Sequence, residues 1–262
     1  MPFFPIISAP GCLGRTTVFN FPPNNWEFKS RNNQFVILTW LEDSFWHSVT
    51  VDELVYGEIK SYQISDFHDY LPASSLPLLS LSLQRYSTNS KLLPVNLTSS
   101  YVPSWRATIE LYTPLSSSSY QGEIDPFPVP SSLLSFSPLI QISENIRNYL
   151  LLLNIEKEAK QRISSLKIFN ASTSKDLIGE FTISNNKLNV ICLDHAEYNP
   201  LDLSVIVCTD MSAIPIYLSK AVDGSCLSLE HTHPPASYFI HGQRWLAQRS
   251  LKRRWFSSLL QK

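Results

Sequence analysis

The stretch FTISNNKLNVI, residues 181–191, carries the clearest local fold signal in this chain. Apolar and polar residues alternate on both sides of Asn185 and Asn186, as they do in strands that bury one face. Asparagine tolerates the positive φ of a tight turn better than most other residues. The pattern therefore predicts two β-strands joined by a hairpin turn at Asn185 and Asn186.

Similar short apolar runs surround this stretch, and only a few residues separate one from the next. They are RISSLKIFN (162–170), LIGEFTIS (177–184), KLNVICL (187–193), LSVIVCT (203–209), IPIYLS (214–219) and CLSLEH (226–231). Several short strands at this spacing are typical of an antiparallel sandwich or a partly open barrel. An earlier apolar run, Tyr149–Leu153, fits a buried strand or a buried helical turn equally well, because periodicity does not separate the two.

The N-terminal half is also rich in β-branched and aromatic residues, in the runs TTVFNF (16–21), QFVILTWL (34–41), LLSLSLQRY (78–86) and RATIELYT (106–113). The stretch 114–138 holds five prolines and four consecutive serines, a composition that resists both helix and central strand. We therefore expect a mainly β protein with three parts. Residues 1–113 form a β-rich domain, 114–138 a Pro/Ser-rich linker, and 139–262 an antiparallel β domain that ends in a basic α-helix.

The composition limits the possible function classes. Charged residues make up 16% of the 262 residues, below the roughly 25% of an average soluble protein, and 12% are aromatic. We therefore expect protein partners to cover much of the surface. The chain has only seven glycines and neither of the common glycine-rich phosphate-binding motifs, so the sequence gives little support to a phosphate-binding loop.

The cysteines and the N-terminus indicate a compartment. No two of the four cysteines, Cys12, Cys192, Cys208 and Cys226, have the spacing of a zinc knuckle, and two lie in apolar runs as buried thiols do. The first residues lack the basic start of a signal peptide, and no window is apolar enough for an ordinary membrane span. These features predict a cytoplasmic protein.

The segment LSLEHTHPPASYFIHG, residues 227–242, gathers three of the six histidines. Strand alternation places His231 and His233 on one face, and His241 follows after a short return. Three imidazoles arranged in this way are able to hold zinc or another transition metal and leave a position open for water. The alternative is that the strand ends before Pro234 and Pro235, and that the histidines are polar residues at the sheet edge.

The C-terminal segment 243–262 is strongly basic and has no acid. Its cations are Arg244, Arg249, Lys252, Arg253, Arg254 and Lys262. Without these six charges the net charge of −1 becomes −7 for the rest of the chain. The segment is rich in helix formers, and an apolar stripe recurs at every fourth position. The stripe consists of Ala247, Leu251, Trp255 and Leu259, and Trp245 and Phe256 broaden it.

Two interpretations of this basic helix remain open. In the first, the helix docks by its apolar stripe and its basic face is only solvated; in the second, its arginines also contact phosphates. Because no complete catalytic motif is present, we expect a non-catalytic subunit or adaptor of a larger assembly. RNA or DNA is the expected anionic partner, and a membrane surface ranks behind it. The predicted contact residues are Arg244, Arg249, Lys252, Arg253, Arg254 and Trp255. The alternative function is a metal-dependent enzyme built on His231, His233 and His241.

Overall fold

The computed structural model describes residues 3–20, 33–72, 75–94, 107–127, 134–138, 140, 143–170, 177–194, 204–231 and 243–260. The described chain is mainly β, its sheets are antiparallel, and a helix lies at the C-terminal end, which confirms the predicted fold class. The chain divides into two compact units. Unit 1 holds residues 1–126 and 157–160, and unit 2 holds residues 127–156 and 161–262.

Unit 1 contains two sheets of short strands and one 3-10 turn at Ile64–Phe67. The strands are β1 (Phe4–Pro5), β2 (Leu13–Phe19), β3 (Gln34–Glu42), β4 (Phe45–Leu54), β5 (Ile59–Gln63), β6 (Leu78–Ser82), β7 (Ser87–Ser90), β8 (Thr108–Tyr112) and β9 (Ser117–Gln121). One sheet has the order β1-β6-β3-β4-β7 and the other has the order β5-β2-β8-β9. Every strand pair is antiparallel.

The core of unit 1 draws apolar side chains from both sheets. Val36 and Leu38 of β3 and Leu79 of β6 pack in one cluster with Val18 of β2 and Tyr62 of β5. Two sheets that share one apolar layer form a sandwich. Alternate residues of β2 and β8 face this interior, which explains why those strands alternate between buried and exposed positions.

The backbone of unit 1 is tightly packed at Gly14 of β2. The Cβ of any larger residue at Gly14 would lie 1.5 Å from the carbonyl oxygen of Ile7, so the N-terminal segment approaches β2 too closely for a side chain.

On β4, partial burial of Asp52 would raise the pKa of its carboxyl. Hydrogen bonds from Lys60, from the hydroxyl of Tyr62 and from the backbone of Glu53 outweigh that effect and lower the pKa.

Unit 2 contains two four-stranded sheets and the C-terminal helix. Its elements are β10 (Leu134–Phe136), β11 (Ile146–Asn154), β12 (Ile163–Asn170), β13 (Leu177–Ser184), β14 (Lys187–Cys192), β15 (Ser204–Cys208), β16 (Ile214–Ala221), β17 (Leu227–His231) and α1 (Gln243–Leu260). The sheet orders are β10-β15-β12-β13 and β14-β11-β16-β17. The apolar run Tyr149–Leu153 lies in the central strand β11, which resolves the choice between strand and helical turn.

The two sheets of unit 2 also enclose one core. Leu150 and Leu152 of β11 pack in a single buried cluster with Leu166 and Ile168 of β12 and with Ile206 of β15. Contacts between the inner faces of both sheets establish a β-sandwich, which was one of the two predicted architectures for this half. In β12 the intervening residues Lys167 and Phe169 therefore face outward from the sandwich.

The predicted hairpin at Asn185 and Asn186 is wrong in its pairing and right in its turn. Asn186 has a φ of 56°, as a tight turn requires. However, β13 pairs with β12, and β14 pairs with β11 in the opposite sheet, so the turn is an arch between the sheets. The Asn186 side chain accepts a hydrogen bond from the backbone of Glu156 at 2.7 Å, and Asn185 accepts one from Arg162 at 2.7 Å.

The domain boundaries predicted from composition stay a prediction. The two compact units divide between residues 126 and 127, inside the stretch 114–138. This proline- and serine-rich stretch contains the short strands β9 and β10 in addition to connecting segments. Residues 157–160 return to unit 1, where the backbone N–H of Leu93 donates to Lys157 and that of Ala159 donates to Lys91. No helix in the described ranges is long and apolar enough to cross a membrane.

Candidate nucleic-acid interface

Among the α1 side chains that the structure describes, Phe256 packs on the outer face of the β10-β15-β12-β13 sheet. Phe256 is 5% exposed and packs against Phe169 of β12 and Val207 of β15, with the half-buried Val205 beside them. The rings of Phe256 and Phe169 meet edge to face, with their centroids 5.9 Å apart. Phe169 and Val205 lie opposite each other in the sheet and face outward together, so they form the apolar spot on which the helix docks.

The predicted docking stripe is wrong for the two stripe positions whose side chains are described. Leu251 is 60% exposed and Trp255 is 42% exposed, whereas Phe256 is buried. A helix turns about 100° per residue, so a stripe repeated at every fourth position drifts by about 40° per step. Leu251 and Trp255 consequently lie on one flank of α1, about 140° and 100° away from Phe256. The side chains of Trp245, Ala247 and Leu259 lie outside the described residues.

The cations of α1 differ in their surroundings. Arg253 and Arg254 are exposed, and Arg254 points away from the docking face because it lies about 160° around the helix from Phe256. Lys252 is half-buried, and burial lowers the pKa of its ammonium group from the ordinary value. Arg244 and Arg249 lie in the helix, but their side chains are outside the described residues.

The exposed end of α1 therefore presents two guanidinium groups and an indole ring on different sides of the helix, with Arg254 about 100° and Arg253 about 160° around the helix from Trp255. The helix contains no Asp or Glu that would neutralise them within its own sequence. The hydroxyl of Ser257 donates to the Arg253 carbonyl at 2.9 Å, and that of Ser258 donates to the Trp255 carbonyl at 2.6 Å. We call Arg253, Arg254 and Trp255, with Leu251 on the same flank as Trp255, the basic-aromatic patch.

The candidate metal site is described only in part. His231 is the last residue of β17 and lies half-buried on the same side of the strand as Leu227 and Leu229. His233 and His241 lie outside the described residues. Within the described part of the chain, no three His, Cys, Asp or Glu side chains come close enough to hold one metal ion. The site of three histidines stays a prediction.

Two thiols of unit 2 lie beside carboxylates. Cys208 is buried, and burial is the main reason why its pKa is raised, although Ser164 donates or accepts at 3.2 Å from its sulfur. Burial also raises the pKa of Cys192, whose thiol faces Asp194 at 3.5 Å. A raised pKa keeps a thiol protonated at neutral pH and makes it a poor nucleophile. Both clusters therefore favour a structural role for these cysteines.

A buried ion pair supports the arch of unit 2. Glu156 is 3% exposed, forms a bidentate ion pair with Arg162, and accepts a hydrogen bond from the Asn185 amide at 2.9 Å. All of its partners are protein groups that hold the turn in place, so the carboxylate is committed to the fold. Sequence patterns gave no signal for this network, because its members lie in separate strands and loops.

Comparison with known proteins does not assign the chain to a class. No protein-family model matches the sequence, and no curated protein is significantly similar to it.

Proposed function

We propose that this protein is a non-catalytic adaptor subunit of a larger assembly and that it contacts nucleic acid through helix α1. One observation carries the proposal: Phe256 fixes the helix on a rigid sheet, while Arg253, Arg254 and Trp255 stay exposed on its other sides. A helix that was present only to cover the sheet would be expected to turn its large apolar residues inward. In α1 the side chain of Trp255 is instead exposed, as are those of Arg253 and Arg254.

The arginines suit phosphate groups. A guanidinium group stays charged at any physiological pH and binds phosphate oxygens with two parallel hydrogen bonds. The excess of negative charge on the rest of the chain makes this helix the place where an anionic polymer meets least repulsion. Each phosphate that is neutralised releases counterions, so the binding should weaken as salt concentration rises.

The tryptophan suits unpaired bases. Trp255 is 42% exposed, so solvent reaches this aromatic residue. Bases in a duplex are already stacked on each other, whereas bases of a single strand are free to stack on an aromatic side chain. We therefore propose that single-stranded RNA or DNA binds more tightly than duplex of the same length.

The adaptor role rests on the surface of the chain. Several large apolar side chains are exposed in different parts of it, including Leu13 at 62%, Leu115 at 69% and Ile163 at 72%. Apolar groups at these positions, together with the low charged fraction, are suited to protein interfaces. Protein subunits are therefore proposed as further partners, and the nucleic-acid contact as the role of unit 2.

The test is a binding titration with a labelled single-stranded oligonucleotide at several salt concentrations. Replacing both Arg253 and Arg254 by Gln should reduce the slope of log affinity against log salt by about 1.4, because each phosphate contact to a single strand contributes about 0.7. Trp255→Ala should weaken binding by about 1 to 3 kcal/mol and leave that slope unchanged. The matched control is the double replacement of the exposed Lys157 and Lys187 by Gln, which should leave the slope as in the wild type.

Binding that does not depend on the two arginines, or no binding of any oligonucleotide at low salt, would remove the proposal. If anionic vesicles bind with the same dependence on Arg253 and Arg254 and oligonucleotides do not bind, α1 contacts a membrane surface instead. Far-ultraviolet circular dichroism of each variant shows whether the fold is intact before any loss of binding is interpreted.

A further inference from the structure

Strand β13 is the longest outer strand of the four sheets in the described ranges. It has eight residues, whereas the other outermost strands, β1, β5, β7, β9, β10, β14 and β17, have between two and six. Proteins usually protect long edges with proline, with lysine or with a covering element. The sequence of β13, LIGEFTIS, contains neither proline nor lysine, and Leu177, Glu180 and Thr182 are exposed.

No strand in the described ranges pairs with the outer side of β13. At the end of the strand, the N–H of Asn185 donates to Arg162 on the side of β12, while the N–H and C=O of Ser184 bond to the side chain of Asn189, each at 2.8 Å. Successive residues of a strand point these groups to opposite sides. Glu180 and Thr182 therefore point theirs away from β12, and neither has a backbone partner among the described residues.

We propose that β13 pairs antiparallel with β13 of a second copy of this chain, around a twofold axis at Phe181. In this register the outward groups of Glu180 face those of Thr182 in the second copy, and symmetry repeats the pair. The outward N–H and C=O groups of these two residues in one strand thus pair with those of the same two residues in the other strand. This is the self-complementary contact that a twofold dimer requires. The β10-β15-β12-β13 sheets of the two copies then form one continuous sheet of eight strands.

The charge of Glu180 favours the register with its axis at Phe181 over the register with its axis at Glu180. Glu180 is the one charged residue of β13, and its carboxylate already lies 3.7 Å from the ammonium group of Lys167 on β12. An axis at Glu180 would place two carboxylates directly opposite each other, which destabilises cross-strand pairs. An axis at Phe181 places each carboxylate opposite the hydroxyl of Thr182 instead.

The local structure also limits the strength of the contact. The Asn189 side chain occupies the outer groups of Ser184 at one end, and the β12–β13 register shifts near Leu177 at the other. The open edge between them is short, so the dimer should be weak and should depend on protein concentration. Because the twofold axis is perpendicular to the sheet, both copies of α1 lie on the same face of the continuous sheet.

Sedimentation equilibrium of the nuclease-treated full-length protein over a range of concentrations tests the proposal. Thr182→Glu places a carboxylate opposite Glu180 twice per dimer and should weaken the dimer by about two- to thirtyfold, whereas Thr182→Lys should strengthen it. Thr182 is exposed, so neither substitution should alter the free energy of unfolding by more than about 0.5 kcal/mol. Ser228→Glu, at an exposed position of the outer strand β17, is the matched control and should leave the dimer unchanged.

A wild-type protein that stays monomeric at its highest soluble concentration would overturn the proposal. A dimer of equal strength in the Thr182→Glu and Thr182→Lys variants would place the contact elsewhere and overturn it as well. Opposite effects of the two charges at residue 182, with an unchanged Ser228→Glu control, are the result that the β13 pairing predicts.

Discussion

Replacing Phe256 by Ala should detach α1 from unit 2 and leave both sandwiches folded. The side chain is 5% exposed and supplies the helix residue in the cluster formed with Phe169 and Val207. Burial of a phenylalanine side chain stabilises by about 1.5 to 3 kcal/mol, and an edge-to-face aromatic pair adds about 0.5 to 1.5 kcal/mol. We therefore expect a loss of about 2 to 4.5 kcal/mol of docking free energy.

This loss should appear in the helix and not in the strands. Isolated helices of this length are marginal in water, so a detached α1 should also unfold. Hydrogen exchange measured by mass spectrometry should show loss of protection in residues 243–260, with unchanged protection in β11, β12 and β15. Leu251→Ala is the matched control, because its side chain is 60% exposed in the same helix and should cost less than about 0.5 kcal/mol.

Phe256 is not the residue that docks α1 if the two variants behave alike. Unchanged protection of α1 in Phe256→Ala would mean that other contacts hold the helix. Equal loss of protection in Leu251→Ala would mean that the exposed flank of α1 is covered in solution.

Three further predictions concern the rest of the chain. Gly14→Ala should destabilise unit 1 by more than the roughly 1 kcal/mol of a typical substitution, measured by urea unfolding, because the new methyl group would meet the Ile7 carbonyl at 1.5 Å; an unchanged midpoint would contradict this close approach. Because folding lowers the pKa of the Asp52 carboxyl, this group stabilises the fold at pH values above its unfolded pKa, and the stabilisation is lost as pH falls through its folded pKa. Asp52→Asn should therefore make the free energy of unfolding fall less steeply at acid pH. An unchanged acid dependence would refute the role of the Lys60 partner. If the three histidines of the C-terminal segment form a metal centre, elemental analysis should find stoichiometric zinc that His233→Ala removes, and metal-free protein that binds none on titration would exclude the centre.

The strands of this protein were predictable because alternation and β-branched residues depend on the near neighbours in the chain. The strands of unit 2 and the C-terminal helix follow from such local patterns, whereas these patterns left the choice between a sandwich and a partly open barrel undecided. Sheet membership was not predictable from them: the turn at Asn185 and Asn186 looks like a hairpin, yet buried contacts to Glu156 and Arg162 send the two strands into opposite sheets. These contacts join residues that are distant in sequence.

The candidate site shows the same limit. The basic character of α1 is visible in its composition, but the docking residue was one of the six apolar residues that the prediction assigned to the stripe and its borders. Phe256 docks because Phe169 and Val205 create an apolar spot on the outer face of the sheet, and a single sequence does not reveal which outward residues of different strands become neighbours. For the same reason, the docking interpretation placed Leu251 and Trp255 on the buried side of α1, whereas the nucleic-acid interpretation had Trp255 exposed.

The proposed contact between nucleic acid and α1 is tested most directly by ultraviolet crosslinking of the protein to a single-stranded uridine-containing oligonucleotide, followed by mass spectrometry of the crosslinked peptides. The basic-aromatic patch predicts crosslinks in the peptide that contains Trp255, and their loss when Arg253 and Arg254 are both replaced by Gln. Crosslinks that map only outside residues 243–260, or that persist unchanged in the double variant, would contradict the proposed role of the helix.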